Sequence, residues 1–137
     1  MRVVIGIMKG LDDGYVAYAR EKGAAYFLPH PEVWNTLKSA FGDQAEETAW
    51  LVNQRALRPY IERGAPFEYT LRGVENLKVE EKVIELIWEG KTPDEIVAAV
   101  EGVKRFSTRH RELVELYQAG YRYTFDEMAN AYILVKP

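Results

Sequence analysis

The apolar positions of this chain change period several times along its length, and each change marks an element. Val3, Val4, Ile5, Gly6 and Ile7 form a continuous, mostly β-branched run, the pattern of a strand buried on both faces. Asp12 and Asp13 are placed to cap a helix that carries Val16 and Ala19 inward and stops at Gly23. Ala25, Tyr26, Phe27 and Leu28 read as a second strand closed by Pro29, and Pro31 opens a short helix through Val33, Trp34 and Leu37. A longer helix starts at Asp43, where Ala45, Ala49, Val52, Ala56 and Tyr60 recur at spacings of three and four until Gly64 and Pro66 end it.

After Pro66 the period becomes two. Phe67, Tyr69 and Leu71 alternate with Glu68, Thr70 and Arg72, which predicts a strand with one buried and one wet face. Val79, Val83, Leu86 and Ile87 then share a helical face ending at Gly90, and Thr92, Pro93 and Glu95 form a capping signal for a helix carrying Ile96, Val97 and Val100. A third helix, from about Ser107 to Gly120, turns Leu113, Leu116 and Tyr117 inward. Tyr121, Tyr123 and Phe125 on one side of turn residues 126–130, and Tyr132 and Leu134 on the other, predict a closing hairpin. The expected fold is α/β and three-layered: a small, mostly parallel sheet flanked by helices, with a C-terminal helix and β-hairpin and an inserted helical pair at 74–105. A single domain over 1–137 is expected, with a winged-helix-like subdomain over 78–137 as the alternative.

Composition narrows the class. A chain of 137 residues with 47% hydrophobic and 28% charged side chains suits one buried core and excludes disorder. The absence of cysteine excludes disulfides, thiolate metal sites and thiol nucleophiles together. No stretch has the length of a membrane span, and the first thirty residues lack the order of a signal peptide, so a soluble, cytoplasmic protein with no membrane partner is expected. The net charge is −3, with nine basic and nine acidic residues in 1–73 against nine and twelve in 74–137. Nucleic acid would therefore need a local basic patch.

The candidate chemistry is scattered. Gly6, Gly10 and Gly14 with Lys9 occupy the strand-to-helix position of a phosphate-cradling loop, but they spell neither a dinucleotide fingerprint nor a Walker motif, and a plain turn is the alternative. His30 and His110 are the two histidines. They show no metal spacing, and no cofactor is implied. Ser107 and His110 lie one turn apart, and Ser107 is expected to cap its helix rather than act as a nucleophile. Trp50 and Asn53 share a face of the long helix while Arg55 lies elsewhere. Asn53 either bonds the loop before it or lines a ligand cleft. Lys104, Arg105, Arg109, His110 and Arg111 are the one basic concentration. The order helix, helix, helix, hairpin around them matches a winged helix with DNA as partner. The expected wing carries Asp126 and Glu127 in place of basic residues, and the alternative is a solvated face paired with Glu112 and Glu115.

Three collinear segments, RVVIG followed by YVAYAREKGAAYFLPHPEVWNTL, then AWLVNQRALRPYIERGAPFEYTL, then STRHRELVELYQAGYRY, resemble the C-terminal effector domains of bacterial polymorphic toxins and related phage-encoded domains. The resemblance covers about half of the chain and departs from the family by inserting Val74 to Arg105. It implies an enzyme acting on a nucleotide or nucleic acid, and it makes Gly6, Trp50, Asn53, Ser107 and Glu112 site candidates without assigning their roles. Asn53, Glu112 and Ser107 are the catalytic candidates; Gly6, Lys9, Trp50 and Arg55 are the substrate-binding ones. A non-catalytic interaction module presenting Tyr121, Tyr123 and Tyr132 to a protein partner is a further alternative.

Overall fold

The computed structural model describes residues 2–6, 14–25, 39–40 and 42–137. Asp12 and Asp13, residues 26–28 of the expected second strand, the helix expected after Pro31, and Lys9, His30 and Trp34 lie outside the described residues. The opening run forms β1 (Val3–Ile5), followed by α1 (Gly14–Lys22). Gly23, at φ 64°, supplies the expected left-handed stop. A single 3-10 turn, Gly42–Gln44, leads into α2 (Ala45–Glu62), and β2 (Phe67–Thr70) follows. Next come α3 (Leu77–Trp88), α4 (Pro93–Ala99) and α5 (Thr108–Gln118), and then the hairpin of β3 (Arg122–Asp126) and β4 (Ala131–Val135). Thr92 and Glu95 close the expected capping box at the start of α4.

The four strands form one mixed sheet in the order β1-β2-β4-β3. β1 and β2 run parallel, and Ala25 adds a parallel bridge to Val3 on the far edge of β1. The hairpin contributes the two antiparallel pairings, with β4 against β2 and β3 outermost. Residues from both halves of the chain therefore share one hydrogen-bonded sheet. At the turn, Asp126 Oδ1 accepts from the backbone N–H groups of Met128 and Ala129, and Asn130 takes a positive φ.

The pleat sends alternate residues to two helical layers. Val3, Ile5, Phe67, Tyr69, Tyr132 and Leu134 join Leu57 and the apolar faces of α3, α4 and α5 in the main core. Val4 packs with Tyr18 and Ala19 of α1 on the opposite side. Periodicity expected Glu68 and Thr70 on a wet face, but they are only 3% and 1% exposed. Glu68 stands beside Val4 in the parallel register, on the face α1 covers, and Arg2 reaches its Oε1 at 2.6 Å. Strand alternation marks the two faces without saying whether a helix covers the second one.

Gly6 sits where β1 leaves the sheet. A Cβ there would come within 3.0 Å of both Thr70 Cγ2 and the Thr70 carbonyl oxygen, and within 3.1 Å of Tyr15 Cβ. Backbone close approach accounts for this glycine without any phosphate. Gly6→Ala is expected to lower stability by roughly 1–3 kcal/mol through overpacking, read as a fall in the urea midpoint. An unmoved midpoint would refute the packing role.

Candidate functional site

Two polar constellations meet on α5, one on each side of it. The first is buried between α3, α5 and β2. Glu80 of α3 is 3% exposed and receives donors from three directions. The Tyr69 hydroxyl donates to its Oε1 from β2, Arg109 donates from Nη2 to Oε2 at 3.3 Å, and His110 Nε2 lies 2.8 Å from Oε1. Arg109 Nε also donates to the Tyr69 hydroxyl at 3.1 Å. Burial pushes the Glu80 carboxyl up, but the hydrogen bond and charge of His110, the Arg109 charge and the Tyr69 hydroxyl outweigh it and hold the group down at about 2.

An ionised carboxylate only accepts hydrogen bonds, so His110 must present Nε2–H to Glu80. The other ring nitrogen, Nδ1, then faces the Ser107 Oγ at 2.8 Å. Ser107 is the N-cap of α5 by position but makes no side-chain capping bond. The capping role expected for it is thus replaced by a hydroxyl–imidazole–carboxylate chain, Ser107–His110–Glu80. Sequence spacing brings Ser107 beside His110; nothing in the spacing marks Glu80, which lies in a different helix and arrives through tertiary packing.

The second constellation lies in the seam between α2 and α5 and joins four of the candidates, Trp50, Asn53, Arg111 and Glu112. Glu112 is buried in it. Desolvation raises its carboxyl to about 8, and a hydrogen bond with the Asn53 side chain pulls in the opposite direction. Next to this pair the Arg111 guanidinium lies 5.8 Å from the centre of the buried Trp50 ring and reaches Glu47 Oε2 at 2.7 Å. Further along, Gln54 Nε2 donates to Glu115 Oε1 at 2.5 Å. Asn53 therefore bonds across to α5. Arg55 is exposed on α2, away from this seam.

The basic cluster is dispersed by the fold. Arg109 and His110 turn inward to Glu80, and Arg111 pairs with Glu47 in place of the expected Glu112 and Glu115. Lys104 and Arg105 are exposed in the loop before α5. The aromatic anchors expected on the hairpin belong largely to the core: Tyr121 and Tyr132 are buried, Tyr123 is half-buried, and the Tyr121 hydroxyl donates to the Ala65 carbonyl at 2.7 Å. Among the described residues no helix is long and apolar enough to cross a membrane.

The two carboxyls give stability opposite pH dependences. Glu80 is shifted below its ordinary value of 4.5, so its contribution is present above pH 4.5 and is lost as pH falls towards about 2. Glu112 is shifted above 4.5, so the folded state holds its proton more tightly than the unfolded chain does. Its contribution is full below pH 4.5 and declines until about pH 8. Glu112→Gln keeps the neutral, hydrogen-bonding shape and removes this decline. The variant should gain stability over the wild type by a growing margin as pH rises from 4.5 to 8 in paired denaturant titrations. A margin independent of pH would show that Glu112 ionises normally.

No protein-family model, no curated protein and no solved structure matches the chain, so the chemistry of these two constellations has to stand on their own geometry.

Proposed function

We propose that this chain is a toxin-like effector domain acting on a nucleotide or nucleic-acid substrate, with Glu112 as its proton donor. The observation that carries the reading is buried Glu112 paired with half-buried Asn53. A carboxyl raised to about 8 still holds its proton at neutral pH, which is the state a general acid needs to protonate a leaving oxygen or nitrogen. Glu80, in the constellation on the other side of α5 and held near 2, stays ionised.

The neighbouring groups suit a phosphate-bearing substrate. The ion pair of Arg111 with Glu47 joins side chains 37% and 58% exposed, and such pairs contribute only ~0–1 kcal/mol. An incoming phosphate can therefore recruit the Arg111 guanidinium at little cost and be held bidentately beside Glu112. Asn53 acts as a positioning residue that fixes the carboxyl orientation. The resemblance to polymorphic-toxin effector domains points to the same substrate class.

Expression of the wild type in a bacterial host should slow growth, and the purified protein should turn over RNA, DNA or NAD. Glu112→Gln should reduce that turnover by ~10²–10⁴-fold while remaining folded, as thermal melting would report. Undiminished turnover in the folded variant would remove Glu112 from the chemistry. A wild type without toxicity and without turnover of any of the three would end the enzyme reading.

A further inference from the structure

The Ser107–His110–Glu80 chain has a form that neither packing nor the Glu112 acid requires. A buried glutamate could be satisfied by Tyr69 and Arg109 alone, and a serine at a helix N-cap ordinarily bonds the first-turn backbone N–H groups. Here the serine leaves those groups and meets the imidazole instead. In its neutral form the imidazole is held in one tautomer, Nε2–H towards the carboxylate on its far side, which leaves Nδ1 free to accept. Nucleophilic catalysis asks for these three parts: a hydroxyl, a base within reach of its proton, and a group that orients the base and stabilises its cation. His110 is only 4% exposed, so the base is shielded from water, while Ser107 is half-buried at the start of α5, after the loop that carries exposed Lys104 and Arg105.

We propose that Ser107 is an activated nucleophile, with His110 as its base and Glu80 as the positioning residue, and that it attacks phosphate esters. In the step, Ser107 Oγ bonds to phosphorus and the bond from phosphorus to the leaving alkoxide oxygen breaks. The Oγ proton passes to His110 Nδ1 and from there to the leaving oxygen. A water molecule then attacks the phosphoserine through the same imidazole, releasing the phosphate and restoring the hydroxyl. Glu80 stays ionised and hydrogen-bonded to Nε2 throughout, holding the imidazolium that forms. The choice of phosphate over other esters rests on the nucleotide reading above and on the exposed Lys104 and Arg105 that precede the serine. The nucleophile itself rests on geometry alone.

The chain contains no cysteine, so Ser107→Cys installs a single thiol whose titration can be read directly on the full-length protein. Iodoacetamide alkylation followed against pH should place that thiol below about 7, against about 8.5 for a free cysteine. That corresponds to at least about 25-fold more thiolate at pH 6.5. Adding His110→Gln should return it to the ordinary value, which separates the imidazole from the α5 N-terminus as the cause. Independently, a fluorophosphonate probe should phosphonylate Ser107 with loss of fluoride, as located by peptide mass, and should leave Ser107→Ala unlabelled. A thiol titrating at its ordinary value in a folded protein, or an unlabelled Ser107 in the wild type, overturns the proposal. Neither readout uses a nucleotide or involves Glu112, so such a failure leaves the proposed function to its own test.

Discussion

A carboxylate in an apolar interior must either give up its charge or be met by donors from several directions, because desolvation of an unpaired charge costs more than a small domain's net stability. Glu80 takes the second course. Its donors come from β2, through Tyr69, and from two successive residues of α5, Arg109 and His110. Removing one partner from such a network costs ~3–5 kcal/mol, since the remainder is left buried and unpaired. The constraint is also geometric: two consecutive α5 side chains aimed at one carboxylate fix how that helix is rolled about its axis.

That roll decides what α5 shows to its other neighbour. With 100° between successive residues, turning Arg109 and His110 towards α3 and β2 swings Arg111, Glu112 and Glu115 towards α2, where they meet Glu47, Asn53 and Gln54. The two constellations are thus mechanically linked, and they place two carboxyls of the same type in opposite states. Glu80 is charged because cationic and hydroxyl donors surround it. Glu112 keeps its proton up to about pH 8 because burial outweighs the amide of Asn53.

The sheet supplies the rigid floor under this arrangement. β4 enters between β2 and β3, so the segment that follows α5 is tied to the strand that precedes α3. Two further bonds lock the junction: Trp88 Nε1 donates to the Tyr121 carbonyl at 3.0 Å, and the Tyr121 hydroxyl donates to the Ala65 carbonyl at the loop before β2. The edge-on contacts of Phe67 with Tyr121, and of Tyr132 with Tyr69 and Tyr123, fill the space between sheet and helices. Aromatic pairs of this geometry add stabilisation beyond their area burial.

Local pattern was sufficient for much of this. The β-branched run of β1, the Thr92 capping box, the apolar faces of α3 and α5 and the alternation of the closing hairpin are written in neighbouring residues, because helix and strand periods depend on positions a few residues apart. Ser107 beside His110, and Trp50 on the face of Asn53, were legible for the same reason. Which faces became buried was not: Glu68 lies on a strand face that looked wet until α1 covered it. Nor was the identity of the charges that meet. Glu80 reads as an ordinary acidic residue near a helix start, and Arg109 and His110 as part of a basic surface cluster. Only the packing of α3 against α5 and β2 joined them. Burial and electrostatic pairing depend on distances between segments far apart in the chain, and these are set by the assembled core.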